Sequence, residues 1–393
     1  MAWPKPTEAE GDTMKITTIV LQIVEIPGRS ARTLELVQVP TVRRIQYTHR
    51  SMPSGGPLRE MILRVQTDEG LEGLCNVEGG LFSGGVEGML DLLRGNVMGM
   101  DPFDREAIWQ KLHLGTRWVY QKPGWFGPLD NCLWDIAGKA AGLPVYKLLG
   151  RVREGFPIYQ TAGDGPLELY VEHIEQGKEL GIRAYKPHSY KGGKMDIPIV
   201  QGLRAHVGPD YDLILDPVCS YTLREAIEVG HVLEELDFVW LEEPFHEQKM
   251  NLYQELCREL TIPVMANEML MHDLGLSTQW LIQGATDRLR ANARHGTTQV
   301  LKMAHFAEMH GTNVELNGPG GLYGLIHAHL GCAIANTDYY EHIVGGGLHQ
   351  MALEVGVTNP PAIVNGCLIP PDLPGWGAQW DMAYLQRRTV AVL

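Results

Sequence analysis

The sequence predicts an α/β protein in two parts, an α+β region to about residue 150 and then a barrel of parallel βα units. Three observations carry this reading. From residue 156 onward, apolar strand candidates alternate with helical stretches, which is the rhythm of a parallel sheet. The number of repeats points to a closed barrel, with an open doubly wound sheet as the competing architecture. Neither GxGxxG opening a helix nor GxxxxGK[ST] occurs, so nucleotide-binding sheets lose their usual support.

Taken in order, residues 1–13 read as a disordered tail, too polar for a secretory signal. Residues 15–25 are β-branched and read as a strand. The segment 27–57, rich in Arg, Pro, Gly and Ser, reads as a long loop, either functional or disordered. Residues 59–76 read as a hairpin around Asp68-Glu69-Gly70. From 86 to 150 the pattern is helical, with Leu129, Leu133, Ile136, Ala137 and Ala140 at three- and four-residue steps. Gly142-Leu143-Pro144 ends that helix. The strand candidates that follow are Phe156–Gln160, Ala184–His188, Leu213–Asp216, Phe238–Glu242, Pro263–Glu268, Arg288–Asn292 and Val314–Asn317. The Pro- and Trp-rich end, 360–393, does not continue the rhythm.

Composition narrows the function classes. The chain has 393 residues, a length that suggests two or three domains. Its 47 acidic residues against 33 basic ones, a net charge of −14, argue against nucleic acid as the main partner. A small anionic ligand is still compatible, because a local cation or metal can reverse the field inside a cleft. No stretch approaches a membrane span. The 6 Cys show no CxxC pair, which favours buried free thiols in a reducing cytoplasm over disulfides or a zinc frame.

The strongest chemical signal is three acids at matching places. Asp216, Glu242 and Glu268 each end a strand candidate, 26 residues apart each time. In a barrel, the C-terminal ends of adjacent strands converge on one mouth, where ligands bind. Three carboxylates there repel unless a cation neutralises them, and Mg²⁺ prefers such hard oxygen ligands. A single strand-end acid is more simply a cap for the next helix. Glu is a poor N-cap, and the constant interval is hard to obtain from capping alone.

These residues also carry a resemblance. Trp240-Leu-Glu-Glu-Pro244, the flanking Asp and Glu strand ends, the helix Cys132-Leu-Trp-Asp-Ile-Ala-Gly-Lys139 and Leu148-Leu-Gly150 together resemble the enolase superfamily, in its mandelate racemase branch. The resemblance covers about residues 14–390. It implies a modified (β/α)₇β barrel of the TIM type over 151–358 and an α+β capping domain over 14–150. It also implies a C-terminal segment, 359–393, that returns to the cap. It further implies Mg²⁺ bound by Asp216, Glu242 and Glu268, removal of a proton α to a carboxylate, and a homo-oligomer. An α-proton there is weakly acidic, and its removal builds charge that a divalent cation can stabilise.

The base and its partners follow from the same pattern. Lys186 and His188 lie two apart at a strand end, on one face. The resembled family carries Lys-x-Lys here, with the second Lys as base, so Lys186-Pro187-His188 departs from it by placing an imidazole there. A neighbouring ammonium is expected to keep that ring neutral. Where the family places an Asp–His dyad, this chain has Asn292 and Asn317; neither transfers a proton, and both are expected to bind substrate hydroxyls or the carboxylate. His295 is a candidate to fill part of that gap, and Glu341 matches the family's final-strand acid that contacts the substrate carboxylate. With one face reduced to amides, one-base chemistry is expected: His188 removes the α-proton, and a protonated group on the same face, His188 itself or Lys186, assists loss of the β-hydroxyl. The resulting expectation is a cytoplasmic Mg²⁺-dependent lyase that dehydrates a sugar acid to a 2-keto-3-deoxy acid. The alternatives are a cycloisomerase or epimerase on a related acid, or a metal-binding barrel without turnover. The 27–57 segment and Glu78–Gly85 resemble the two cap loops that close the barrel. Arg29, Arg32, Arg43 and Arg44 are given no role.

Overall fold

The computed structural model describes residues 13–26, 30–39, 44–53, 58–77, 85–318, 322–344 and 353–393. The first part is built from an antiparallel sheet and a helical layer. Its strands are β1 (Ile16–Ile26), β2 (Ser30–Val39), β3 (Arg44–Pro53), β4 (Leu58–Thr67) and β5 (Glu72–Val77). The predicted hairpin is β4–β5, paired from Met61–Val77 to Gln66–Glu72. Gly70 in its turn takes φ 77°, a conformation glycine adopts without steric cost. The segment 27–57 is not the loop expected. It holds β2 and β3, antiparallel from Ser30–Pro53 to Val39–Arg44. Alternation of Leu34 and Leu36 with polar neighbours is a strand signal that the Arg and Pro content masked. Residues 78–84 of the second expected cap loop, Glu78–Gly85, and residues 1–12 of the expected tail, 1–13, lie outside the described residues.

Helices α1 (Gly85–Val97), α2 (Arg105–Val119), α3 (Gly127–Ala141) and α4 (Val145–Leu149) follow. Helix α3 starts with Pro128 in its first turn and ends where Gly142 takes φ 65°, so sequence and structure agree on its C-terminal end.

Eight strands then alternate with helices: β6 (Phe156–Ala162), α5 (Leu167–Glu179), β7 (Ala184–Pro187), α6 (Gly193–Val207), β8 (Asp212–Leu213), α7 (Leu223–Glu235), β9 (Leu241–Glu242), α8 (Met250–Glu259), β10 (Val264–Met265), α9 (Leu274–Ile282), β11 (Leu289–Ala291), α10 (Thr297–Met309), β12 (Val314–Leu316), α11 (Leu322–Ala333) and β13 (Tyr340–Ile343). Parallel ladders join β6–β7–β8, β9–β10 and β11–β12–β13. Bridges Leu215–Leu241 and Met265–Arg288 connect those groups, and β13 pairs with β6. The circuit closes, so the sheet is a barrel and the open doubly wound alternative falls. Its lower interior is filled by Tyr159, Ala184, Ile214, Trp240 and Met265, one from each of five successive strands, as barrel interiors are filled by layers of side chains.

The chain then forms the hairpin β14 (Ala362–Val364) and β15 (Cys367–Ile369), helix α12 (Met382–Arg388) and β16 (Thr389–Val392). Strand β15 adds antiparallel to β6 of the barrel. Strand β16 adds antiparallel to β1, giving the order β16–β1–β4–β5. One apolar cluster runs from Ile19 and Leu63 in that sheet through Leu129 and Leu133 of α3 to Leu289, Leu316 and Leu330 in the barrel.

None of the six cysteines forms a disulfide; Cys75, Cys132 and Cys332 are buried, while Cys219, Cys257 and Cys367 are only half-buried. No helix among the described residues is long and apolar enough to cross a membrane.

Candidate active site

The barrel architecture brings the strand-end residues to one mouth. Lys186 is the penultimate residue of β7 and Glu242 ends β9, while Arg290 and Glu341 lie within β11 and β13. His188, Asp216, Glu268, Asn292 and Asn317 follow their strands by one to three residues. The chain leaves three consecutive strands through left-handed residues: Val218 (φ 46°) and Cys219 (φ 60°), Glu243 (φ 40°) and Asn267 (φ 84°). Such backbone persists only where the surroundings over-determine it.

Lys186 is fully buried among acids. Its Nζ lies 2.9 Å from Glu242 Oε2, 3.1 Å from Glu341 Oε1 and 3.5 Å from Asp216 Oδ2. Burial alone would lower this ammonium, but Glu242 and Glu341 together hold it well above its ordinary value. Arg290, equally buried, places Nη2 2.7 Å from Glu341 Oε2 and 3.1 Å from Glu242 Oε1, with Nε 3.7 Å from Glu268 Oε2. Sequence reading missed Arg290. The available signal was its position two residues before Asn292 on one strand, which puts both on one face.

His188 is oriented by its Nδ1, 2.8 Å from the Ala162 carbonyl and 2.9 Å from Thr161 Oγ1. The carbonyl can only accept. Thr161 gives its own hydrogen to the Lys186 carbonyl at 2.8 Å, so it too accepts. Nδ1 therefore carries the hydrogen, and Nε2 faces Asp216 Oδ2 at 3.2 Å. The expectation that a nearby ammonium keeps the ring neutral is not met in this arrangement. Burial does lower its affinity for a proton, but Asp216 outweighs burial and Lys186 and raises it above the usual value.

The opposite side of the mouth is a chain of amides. Asn292 Nδ2 donates to Asn317 Oδ1 at 3.0 Å, and Asn317 Nδ2 donates to Glu268 Oε2 at 2.9 Å. Glu341 accepts from the Gly318 N–H at 2.7 Å, and burial notwithstanding, Lys186 and Arg290 hold its carboxyl well below the usual range. His295 does not enter this set. Its ring stacks edge-on to His272 at 6.1 Å, and burial, Arg294, His272 and Lys122 push it down to about 3.

The charges test whether a divalent cation belongs here. Asp216, Glu242 and Glu341 are buried carboxylates and Glu268 is a partly exposed one; among the described residues Lys186 and Arg290 are the fixed cations that pair with them. Two negative charges are left over, apart from His188. Glu242 Oε1 is buried with no aligned hydrogen bond, its one close cation being Arg290 Nη2 at 3.1 Å. Burial, Glu341 and Glu242 raise Glu268 above its ordinary value despite Arg290. An all-oxygen donor set with this excess fits Mg²⁺. Asp216, Glu242 and Glu268 are the residues that would hold it.

The cap is docked onto the same loops. Asp130 of α3 accepts from the Thr298 N–H at 2.8 Å and from Thr298 Oγ1 at 2.6 Å, at the start of α10. Asn131 donates to the Ala293 carbonyl at 2.7 Å and accepts from the Thr297 N–H at 3.0 Å. Gly127 leaves no room for a side chain, since a Cβ would sit 2.2 Å from the Arg294 carbonyl. Helix α3 thus fixes the turn that carries Asn292–His295.

Comparison with known proteins places this geometry. Residues 169–384 match the family described as enolase C-terminal domain-like, and residues 32–150 match the mandelate racemase / muconate lactonizing enzyme N-terminal domain. The chain is 27% identical over 307 residues to the L-talarate/galactarate dehydratase of Salmonella typhimurium, covering 73% of this chain and 74% of that protein. It is 28% identical over 370 residues to the 3,6-anhydro-alpha-L-galactonate cycloisomerase of Streptomyces coelicolor, covering 91% and 98%. Among solved structures, the D-glucarate dehydratase from Agrobacterium tumefaciens complexed with magnesium superposes with a TM-score of 0.80 at 26% identity, over 97% of this chain and 100% of that one.

Proposed function

The chain belongs to the enolase superfamily, in its mandelate racemase branch, and from that membership we propose that it is a Mg²⁺-dependent lyase acting on a sugar acid by syn-dehydration to a 2-keto-3-deoxy acid. The observation that carries the reading is the asymmetry of the mouth: one oriented imidazole on one side, amides on the other. When bound at Asp216, Glu242 and Glu268, Mg²⁺ would supply positive charge where negative charge builds on the substrate carboxylate.

His188 removes the α-proton with Nε2, while Nδ1–H stays on Ala162 and Thr161. Asp216, 3.2 Å away, favours the ring once it carries that proton. The electron pair left at the α-carbon forms the C=C bond as the C–O bond of the β-hydroxyl breaks. The proton on Nε2 passes to the departing oxygen, giving water and an enol that tautomerises to the keto acid. Lys186 serves as fixed charge rather than proton donor, because its ammonium is held by three carboxylates. Asn292 and Asn317 bind hydroxyls of the substrate, and Glu341 orients the Lys186–Arg290 pair beside its carboxylate. Related reactions, cycloisomerisation or epimerisation, begin with the same proton removal. A relative named as a cycloisomerase, aligned over 91% of this chain, keeps that reading as the alternative.

The test is incubation with Mg²⁺ and a panel of aldonic and aldaric acids in D₂O. A keto-deoxy product supports dehydration. Deuteration at the α-carbon without elimination would instead favour epimerisation. A rearranged product without loss of water would favour the cycloisomerase, and binding without exchange would remove catalysis altogether.

A further inference from the structure

A second group of ligand atoms lies on the rim of the mouth. Cys219 Sγ, a ring nitrogen of His246 and a carboxylate oxygen of Glu247 all fall within 4.8 Å of one another. They come from two adjoining turns, the one after β8 and the one after β9. The backbone ties those turns together: Cys219 N–H donates to the Glu243 carbonyl at 2.8 Å and Tyr221 N–H to the Pro244 carbonyl at 2.9 Å. Glu247 is aimed by the Met269 N–H, 3.0 Å from Oε1. Glu247 is buried and Cys219 half-buried, while His246 is exposed and opens the group to solvent.

The donor set does not suit Mg²⁺, which takes oxygen ligands and avoids sulfur. One thiolate, one imidazole and one carboxylate match a borderline-soft cation with a fourth position for water. Ligand bonds of about 2.0–2.3 Å in a tetrahedron put donor atoms roughly 3.3–3.8 Å apart, so a small inward rotation of the side chains completes the site.

We propose that Cys219, His246 and Glu247 form a second cation site, for a thiophilic divalent ion of the Zn²⁺ class. It is separate in donor chemistry from the oxygen set at Asp216, Glu242 and Glu268. An ion there clamps together the two turns that carry Asp216 and Glu242. Occupancy therefore changes how freely those acids move.

Co²⁺ is the probe, added to the full-length protein after metal removal, with excess Mg²⁺ present. The expected result is one equivalent bound with a thiolate-to-cobalt charge-transfer band in the near ultraviolet, displaced by Zn²⁺. Cys219→Ser should abolish the band, and His246→Ala should weaken Co²⁺ binding by at least ~10-fold, since even outer-sphere changes cost that much. Glu268→Gln should leave the band in place. His246 is exposed, so its variant tests the site even if Cys219→Ser fails to fold. A folded wild-type protein with no such band overturns the proposal. So does a band that survives both Cys219→Ser and His246→Ala.

Discussion

His188 depends on two acceptors that no spacing rule reveals. Thr161 and Ala162 precede it by more than twenty residues and meet it only because β6 and β7 pair in parallel. Replacing His188 with Asn keeps a polar side chain but removes the base. Turnover is expected to fall by ~10²–10⁴-fold, the usual range for a general base. Mg²⁺ affinity, read by calorimetry, should stay close to the wild-type value; turnover that survives would refute the assignment. The residues themselves divide clearly. Asp216, Glu242 and Glu268 were legible because a 26-residue interval is a property of the chain. Arg290 was not, because a buried Arg inside a barrel reads from sequence as an ordinary polar residue of a short strand. Its function as counter-charge exists only once Glu242, Glu268 and Glu341 surround it.

Helix α3 shows how an element away from the reaction fixes the mouth. Asp130 is buried at the start of α10, where the helix dipole and Thr298 favour a carboxylate. Burial nevertheless raises its pKa to about 6, with Thr298 and Arg105 opposing. The folded value thus lies above the unfolded one, near 3.9. The stability linked to its proton is full below that unfolded value and is lost as pH rises through about 6. In Asp130→Asn this loss disappears. Wild type should therefore lose ground to the variant by on the order of 2–3 kcal/mol between pH 4 and pH 7, read from denaturation midpoints. A gap that is constant with pH would rule this out. The hairpin β2–β3 gives the opposite lesson about elements. Arg and Pro at its ends favour a loop by composition, yet the alternation around Leu34 and Leu36 is visible in the sequence.

At the scale of the whole molecule, the end of the chain completes the first sheet. Leu393 exchanges backbone hydrogen bonds with Leu21 at 3.2 and 3.0 Å, and its carbonyl accepts from Arg94 at 3.1 Å. Trp376 Nε1 donates to the Asn131 carbonyl at 2.9 Å, which ties the same segment to α3. Removing residues 389–393 should lower the thermal midpoint by several degrees. On the proposed function, which puts the base on the barrel and leaves substrate binding to the cap, it should also raise KM more than it lowers kcat. Equal losses in both would argue against that division. The sequence by itself determined the alternating βα rhythm, the C-terminal end of α3, the three strand-end acids and the Lys186–His188 face. Each of these is written in local periodicity or constant spacing. Only the tertiary structure decided that His188 faces Asp216 with Nδ1 already bonded, that Arg290 joins Lys186 inside the acid cluster, and that His295 turns away from it. Those facts depend on which strands lie side by side and on how four carboxylates share two cations. Charge and burial act across space, so residues far apart in the chain settle them together.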